Sequence, residues 1–317
     1  MKLLKLLAKT LSIFFITITI CIIYFTGELV FQSTMQLVNN RITSLSNAVR
    51  FLEHQGFGLA EFEAAYSPQR VDIPSTFEER SIPAELLTAP GNQTENTMVV
   101  VHGLGSNRLM VYPYTRLFLE QGWNVLVYDQ RSSGENTAPY TTYGYWESRD
   151  LQDCVDYVRN LVGPQARVGV WGISYGGATA GIYSGSPQAA QADFILLDSP
   201  VGSLKGMVRA QLTELDFGIP VEFLLFCGGI ITQLRLGFSY EDADVARAVR
   251  HTTRPIMIFS SKADTLTPYA MAQRIFDAVP HEQKRLFTVD DSGHGNMMGE
   301  HYDAYKQAFA EFLESLP

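Results

Sequence analysis

The chain has 317 residues, of which 46% are hydrophobic and 18% are charged. This composition is ordinary for a globular protein, and the length suffices for one large domain with a short extension. The formal net charge of −9 argues against nucleic-acid binding as the main function.

The N-terminal segment differs from the rest of the chain because lysines precede a long apolar run. Lys2, Lys5 and Lys9 come before the uncharged stretch TLSIFFITITICIIYFT, residues 10–26. This length and composition predict a membrane anchor over residues 1–27. The positive-inside rule then predicts a cytoplasmic N-terminus and an extracytoplasmic remainder. The alternatives are a signal peptide that is cleaved to release a secreted protein, and a buried helix.

A largely helical stretch is expected after the apolar run. Residues 28–69 contain few helix breakers up to about Glu63, which predicts a juxtamembrane connector that packs on the main domain. Two short strands, RVDIPSTF and IPAELLTAP, follow it. The polar turn after them carries a glycosylation sequon at Asn92, a pattern too common by chance to carry weight.

From residue 97 onward, strand-like and helix-like segments alternate. Apolar, β-branched runs predict six strands: TMVVVHG, WNVLVYD, ARVGVWG, DFILLDSP, PIMIFSS and RLFTVDD. Such alternation predicts an α/β fold with a mostly parallel central sheet and helices on both faces.

One connection is longer than a crossover requires. More than fifty residues separate DFILLDSP from PIMIFSS, and they include apolar helical stretches such as VEFLLFCGGIITQL. A crossover needs only about a dozen residues. We therefore predict a small helical lid over about residues 201–254, at the sheet edge where open α/β sheets bind ligands. A helix that merely completes the core is the alternative.

A serine stands where the strand ARVGVWG meets a helix. The sequence Gly172-Ile-Ser174-Tyr-Gly176 fits the pattern G-x-S-x-G, with a strand before it and a helix after it. In this pattern the serine occupies a strained turn, and side chains at the two glycines would collide with the adjoining strand and helix. The pattern predicts a nucleophile, and a tight turn without chemistry is the alternative.

A nucleophilic serine needs a base and an orienting carboxylate. Among six histidines, His294 stands on a loop after a late strand and between two glycines, which favours it as the base. Asp264, after the strand PIMIFSS, is the favoured acid. Asp198, at the end of the strand DFILLDSP, is its rival because that strand end also faces the site.

The segment HGLGSN after the strand TMVVVHG is suited to an oxyanion hole. It would direct the backbone amide of Leu104 at the developing negative charge, and the amide of Tyr175 would be the second donor. A dinucleotide-type glycine turn is the alternative, although Arg108 stands where that pattern has its third glycine.

Together, seven segments of residues 70–317 resemble the α/β-hydrolase superfamily. They are VVVHGLGSNR, NVLVYDQRSSGEN, TYGYWESRDLQDCVDYV, GVWGISYGGAT, LLDSP, SSKADTLTP and DSGHG, and they occur in the family's order. The likeness is greatest to membrane-anchored or secreted bacterial serine hydrolases, including proteins similar to prolyl oligopeptidases. The resemblance implies an α/β-hydrolase fold in which Ser174 is the nucleophile, His294 the base and Asp264 the acid, with the same two oxyanion donors.

The sequence therefore predicts a membrane-anchored serine hydrolase that cleaves a carboxylic ester or thioester through an acyl-enzyme. No metal or organic cofactor is expected. The expected partners are a small-molecule or lipid-like acyl substrate and the membrane, but no nucleic acid. A serine peptidase or amidase of the same fold is one alternative. A non-catalytic binding protein of this fold is the other, and it would be expected to lose a member of the triad.

The three cysteines show no metal-type spacing. We expect buried free thiols, because unpaired cysteine packs as a small apolar residue. A disulfide between Cys154 and Cys227 is the alternative.

Overall fold

A computed structural model of the chain describes residues 2–36, 43–91 and 95–316. The sequon at Asn92 lies outside these residues.

The chain divides into two compact units. Residues 1–37 and 205–242 form one of them, which we call the helical unit. Residues 38–204 and 243–317 form the other, which we call the sheet unit.

The described residues contain twelve α-helices. In chain order they are α1 (Lys2–Thr34), α2 (Leu45–His54), α3 (Leu59–Tyr66), α4 (Tyr112–Glu120), α5 (Glu147–Val162), α6 (Tyr175–Ser184), α7 (Leu204–Leu215), α8 (Val221–Leu236), α9 (Val245–Ala248), α10 (Tyr269–Ala278), α11 (Met297–Glu300) and α12 (Tyr302–Glu314).

The sheet unit is built on eight strands. They are β1 (Gln69–Pro74), β2 (Ser81–Leu87), β3 (Thr97–Val101), β4 (Asn124–Tyr128), β5 (Val168–Ile173), β6 (Phe194–Asp198), β7 (Ile256–Ser261) and β8 (Lys284–Val289). They form one sheet in the order β1-β2-β4-β3-β5-β6-β7-β8. Only β2 runs antiparallel to its neighbours, β1 and β4, and the other pairs are parallel. The predicted α/β fold with a mostly parallel sheet is confirmed.

Helices cover both faces of the central strand β5, as its neighbouring residues show. Successive side chains of a strand point to opposite faces. On one face, the indole N–H of Trp171 donates to the hydroxyl of Tyr305 in α12 at 2.8 Å. On the other face, Gly172 lies against Gly176 of α6. All residues of β5 are therefore buried, as expected from its continuous apolar sequence.

The long helix α1 of the helical unit has an exposed apolar part and a packed C-terminal part. An 18-residue window has a mean hydropathy of 2.3 and none of it is buried, so α1 is long and apolar enough to cross a membrane. From Gly27 onward α1 packs on α8, and Glu28 forms an ion pair with Arg235 at 2.7 Å. The helix thus continues beyond residue 27, the predicted end of the membrane anchor, because no proline interrupts the sequence there.

The predicted lid, residues 201–254, contains α7, α8 and α9. Its location over the sheet edge stays a prediction. The cysteines are free thiols, with Cys154 and Cys227 buried and Cys21 exposed, so the alternative of a disulfide is not realised.

Candidate active site

Ser174 occupies the turn between β5 and α6. Its φ of 56° and ψ of −116° lie outside the regions that residues with side chains prefer. The end of the neighbouring strand β6 holds this turn: the Ser174 amide donates to the carbonyl oxygen of Asp198 at 2.8 Å. The Ser174 carbonyl accepts a hydrogen bond from the amide of Val201 at 3.1 Å. The strained conformation is therefore fixed by the surrounding backbone.

The two glycines that flank Ser174 permit a close approach of backbones. A Cβ atom at Gly172 would overlap the carbonyl oxygen of Gly176. A Cβ atom at Gly176 would overlap the carbonyl oxygen of Val101, at the end of β3. Helix α6 thus begins nearer to β5 and β3 than any other residue type allows.

The side chains of Ser174, His294 and Asp264 form a continuous chain of hydrogen bonds. The Oγ atom of Ser174 lies 2.8 Å from Nε2 of His294. The Nδ1 atom of the same ring lies 2.8 Å from Oδ2 of Asp264. The three residues follow β5, β8 and β7, whose carboxyl ends meet at one edge of the sheet. The structure therefore brings together the three residues that the sequence assigned to a triad.

The Asp264 carboxylate is buried and fully occupied by donors. Its Oδ1 atom accepts from the amides of Leu266 and Thr267, each at 2.9 Å. Burial alone would raise the pKa of Asp264, but the hydrogen bonds from His294 and Thr267 outweigh it and hold this pKa below its ordinary value. The carboxylate is therefore ionised at neutral pH, which fixes the His294 ring with its Nδ1 proton towards Asp264.

Thr267 belongs to the same group of hydrogen-bonded side chains, although the sequence analysis did not assign it a role. Its Oγ1 atom lies 2.7 Å from Oδ2 of Asp264 and 3.1 Å from Nδ1 of His294. It also lies 3.2 Å from the carbonyl oxygen of Ser199. The only signal in the sequence is a threonine three residues after the acid, and a threonine before a proline at a helix start is ordinarily a structural feature.

Asp198, the rival acid, is buried in a different environment. Its carboxylate accepts from the Ser199 hydroxyl and from the Tyr305 hydroxyl, each at 3.0 Å. Burial raises the pKa of Asp198 to about 6, against the opposing effect of these two hydrogen bonds. Within the described part of the chain, His294 is not among its hydrogen-bond partners. The geometry thus favours Asp264 over Asp198 as the partner of the imidazole.

Of the two predicted oxyanion donors, Tyr175 follows Ser174 in the chain, and Leu104 follows Gly103, which lies close to Ser174 in space. A Cβ atom at Gly103 would lie 3.6 Å from Cβ of Ser174, so the loop that continues into Leu104 passes the serine. Tyr175 is the first residue of α6, and amides in the first turn of a helix have no intrahelical acceptor. The positive end of the helix dipole also favours negative charge at this place.

His102 braces the loop that carries Leu104. Its Nε2 atom accepts from the Gln130 amide at 2.9 Å, which leaves the Nδ1 proton to the carbonyl oxygen of Gly103 at 2.7 Å. Burial lowers the pKa of His102 to about 4, so the ring is neutral at physiological pH. The ring of His102 therefore holds this loop in place through its two hydrogen bonds.

A cavity of about 640 Å³ borders the loop that follows His294. Its lining includes Met110, Tyr114 and Gly295, together with Phe51 of α2. The Tyr114 hydroxyl donates to the carbonyl oxygen of Gly295 at 3.3 Å, which ties α4 to this loop.

Two family models match the chain. One, described as alpha/beta hydrolase fold, matches residues 96–213, which include Ser174. The other, described as TAP-like protein, matches residues 238–316, which include Asp264 and His294.

Known proteins with similar sequences or structures include the following three. An uncharacterized protein of Bacillus subtilis (strain 168), YqkD, is 27% identical over 225 residues, 71% of this chain and 73% of YqkD. The Pyrococcus furiosus esterase Pf2001 superposes with a TM-score of 0.62 at 20% identity, covering 81% of this chain and 95% of the esterase. The esterase Est2 of Thermogutta terrifontis, solved with butyrate bound, gives a TM-score of 0.58 at 16% identity, covering 78% of this chain and 93% of Est2. At these identities the two structures show a shared fold.

Proposed function

Because the chain belongs to the α/β-hydrolase superfamily, we propose that it is a serine hydrolase that cleaves a carboxylic ester or thioester. The observation that carries the proposal is the hydrogen-bonded chain of Ser174, His294 and Asp264 at a strained strand-to-helix turn. Esterases among the structures with this fold support hydrolase activity.

The first half of the proposed reaction forms an acyl-enzyme. Nε2 of His294 takes the proton of Ser174 while Oγ attacks the carbonyl carbon of the substrate. The amides of Leu104 and Tyr175 stabilise the negative oxygen of the tetrahedral intermediate. When the intermediate collapses, the protonated imidazole gives its proton to the departing alcohol or thiol.

The second half releases the acid. His294 takes a proton from water, which attacks the acyl carbonyl, and the histidine then returns a proton to Ser174 Oγ. Throughout, the ionised Asp264 stabilises the imidazolium and keeps the ring in one tautomer. These steps use only protons and electron pairs of the named groups, the substrate and water.

Labelling with a fluorophosphonate probe tests the nucleophile. We expect the full-length chain in detergent to be labelled at Ser174, and the variant Ser174→Ala to remain unlabelled. We also expect His294→Ala to lose p-nitrophenyl ester turnover while its melting temperature is maintained. Absence of labelling on a folded wild-type chain would exclude the hydrolase proposal and favour a binding protein of the same fold.

A pair of matched variants tests the acid. Asp264→Asn should lower kcat by about two to four orders of magnitude, because the imidazole loses its orienting charge. Asp198→Asn removes a carboxylate that bonds to Tyr305 and Ser199, so it should retain most of the activity. The reverse result would assign the acid to Asp198.

The type of bond is tested with substrates that share one acyl group. We expect turnover of the p-nitrophenyl ester and of the matching thioester to exceed that of the p-nitroanilide by a wide margin. Preferential cleavage of the anilide would favour the peptidase or amidase alternative.

The cavity beside the His294 loop is our proposed place for the apolar part of the substrate. Met110→Trp would fill part of its volume of about 640 Å³. We expect this variant to discriminate against p-nitrophenyl esters of longer acyl chains while hydrolysing the acetate like the wild type. An unchanged chain-length profile would place the acyl group elsewhere.

The helix α1 is our proposed membrane anchor, since its length and hydropathy suit a span. A cleaved signal sequence satisfies the same criteria. We expect the full-length chain to stay in the membrane pellet after carbonate extraction. Recovery of a shortened chain in the soluble fraction would show that the segment is a cleaved signal.

A further inference from the structure

A second apolar surface is exposed in the helical unit, apart from α1. It comprises five large side chains at the end of α7, in the connection after it and in the first turns of α8, each between 37% and 57% exposed: Leu215, Phe217, Ile219, Phe223 and Phe226. We call these five residues the apolar tip. Five exposed large apolar side chains within twelve residues suit a contact surface for a partner or a membrane.

Helices α1 and α8 run side by side in the same direction. A Cβ atom at Gly27 would lie 2.5 Å from the carbonyl oxygen of Cys227, so the backbones are close at this point. Further along α1, the ring of Phe31 lies 5.3 Å from the guanidinium of Arg235. An advance from residue 27 to 31 in α1 therefore corresponds to an advance from 227 towards 235 in α8.

This alignment places part of the apolar tip beside the candidate membrane span. With Gly27 level with Cys227, Phe226 and Phe223 lie level with residues 26 and 23 of α1, the last turn of the uncharged run. When the residues before this turn lie in the hydrocarbon of the bilayer, α1 leaves the bilayer at this turn. The neighbouring side chains of the apolar tip are thus at the depth of the lipid headgroups and the adjoining acyl chains.

We propose that the apolar tip inserts into the membrane leaflet next to the C-terminal end of the span, so that the insertion between β6 and β7 has its own contact with lipid. The inference rests on the proposed anchor. Aromatic residues such as Phe223 and Phe226 suit the boundary region of a bilayer.

The charges near the apolar tip limit the depth of insertion. Glu222 is paired with Arg209 at 2.6 Å, which reduces the cost of bringing it near lipid. Asp216 lies in the connection between α7 and α8 and is exposed. A carboxylate there keeps the connection out of the centre of the bilayer.

Depth-dependent quenching of tryptophan fluorescence tests the proposal on the full-length chain in phosphatidylcholine–phosphatidylglycerol vesicles. The vesicles carry nitroxide-labelled phospholipid with the label near the headgroup end of the acyl chain. Three single variants are compared with the parent, whose native tryptophans supply the background: Phe226→Trp, Leu234→Trp and Phe15→Trp. Leu234 is the matched control, because it is 75% exposed on the same helix but lies about 12 Å further along the axis, away from the span.

We expect the nitroxide to reduce the added signal of Phe226→Trp at least twofold and to leave that of Leu234→Trp nearly unchanged. Phe15→Trp, within the span, should be quenched most by a nitroxide deeper in the acyl chain. Circular-dichroism melting confirms that each variant is folded.

The outcomes separate the inference from the proposed anchor. If Phe15→Trp is not quenched at any depth, the anchor itself is wrong. If Phe15→Trp is quenched but Phe226→Trp responds no more than Leu234→Trp, the anchor stands and insertion of the apolar tip is overturned. Equal, strong quenching at 226 and 234 would also overturn it, because α8 would then lie flat in the membrane.

Discussion

A single hydroxyl group contacts both the acid and the base of the candidate site. The Oγ1 atom of Thr267 lies within 3.1 Å of Oδ2 of Asp264 and of Nδ1 of His294. Since it has only one proton to donate, its main effect is on the position of the Asp264 carboxylate relative to the imidazole. We therefore regard Thr267 as a positioning residue.

Thr267→Val should lower kcat about tenfold and leave KM nearly unchanged, because the acid loses a donor while the shape of the side chain is conserved. Such a loss corresponds to about 1.4 kcal/mol of transition-state stabilisation. Thr267→Ser keeps the hydroxyl and should retain the activity of the wild type. Steady-state kinetics on a p-nitrophenyl ester measures both variants. If valine lowers only the melting temperature and kcat stays constant, the hydroxyl has no part in positioning.

Asp198 makes the stability of the fold depend on pH. Burial raises its pKa from the ordinary 3.8 to about 6, which corresponds to about 3 kcal/mol of preference for the protonated form. Below about pH 4 this carboxyl is protonated in the folded and unfolded states alike, and its contribution to stability is fully present. The contribution is lost as the pH rises through about 6, because the folded chain must then hold a buried charge.

Asp198→Asn should therefore stabilise the protein relative to the wild type at pH 7.5 and much less at pH 4.5. The asparagine can still accept the hydrogen bond from Tyr305. Melting temperatures of the two chains at both pH values measure the difference. Parallel pH dependences would show that Asp198 carries no such cost.

The turn from β5 to α6 depends on glycine for steric reasons. Gly176→Ala would place a methyl group against the carbonyl oxygen of Val101, and backbone atoms at this place cannot move aside. We expect Gly176→Ala to lower the free energy of unfolding by about 1–3 kcal/mol and to reduce labelling of Ser174 by the fluorophosphonate probe. Gly299→Ala is the control, because nothing lies within 4 Å of a Cβ atom there. Equal thermal stability of the two variants would contradict the steric argument.

The strands of the sheet could be predicted because their signals are local. A buried parallel strand is an uninterrupted apolar run, and β3, β5, β6 and β7 are buried throughout. Because β5, β7 and β8 run parallel, they end on the same side of the sheet, which brings Ser174, Asp264 and His294 to one sheet edge. The candidate triad was thus accessible from local patterns and topology.

The remaining features depend on contacts between residues far apart in sequence, which no local pattern reports. Thr267 contacts the candidate base only because the loop that carries His294 folds back against it. The packing of α1 on α8 depends on Gly27 meeting Cys227, and on Val30 meeting Gly228. A glycine in an apolar helix does not by itself say which helix approaches it.

Across the molecule, the exposed part of α1 is the segment that is long and apolar enough to cross a membrane. Its leucine, isoleucine and phenylalanine side chains are exposed over most of residues 3–25. Each Å² of apolar surface removed from water gains about 25 cal/mol, so transfer of this surface into lipid or against protein is favourable. The lysines at positions 2, 5 and 9 lie at its N-terminal end, which gives the proposed span a direction.

Proteolysis of intact bacterial spheroplasts tests this direction. Because positive charges stay on the cytoplasmic side, we expect added protease to degrade the part of the chain after α1 without lysis, while a cytoplasmic marker protein stays intact. Replacing Lys2, Lys5 and Lys9 by glutamate removes the retaining charge, so a larger fraction of this variant should be protected until the spheroplasts are lysed. Protection of the wild-type chain before lysis would place its sheet unit in the cytoplasm and reverse the proposed orientation.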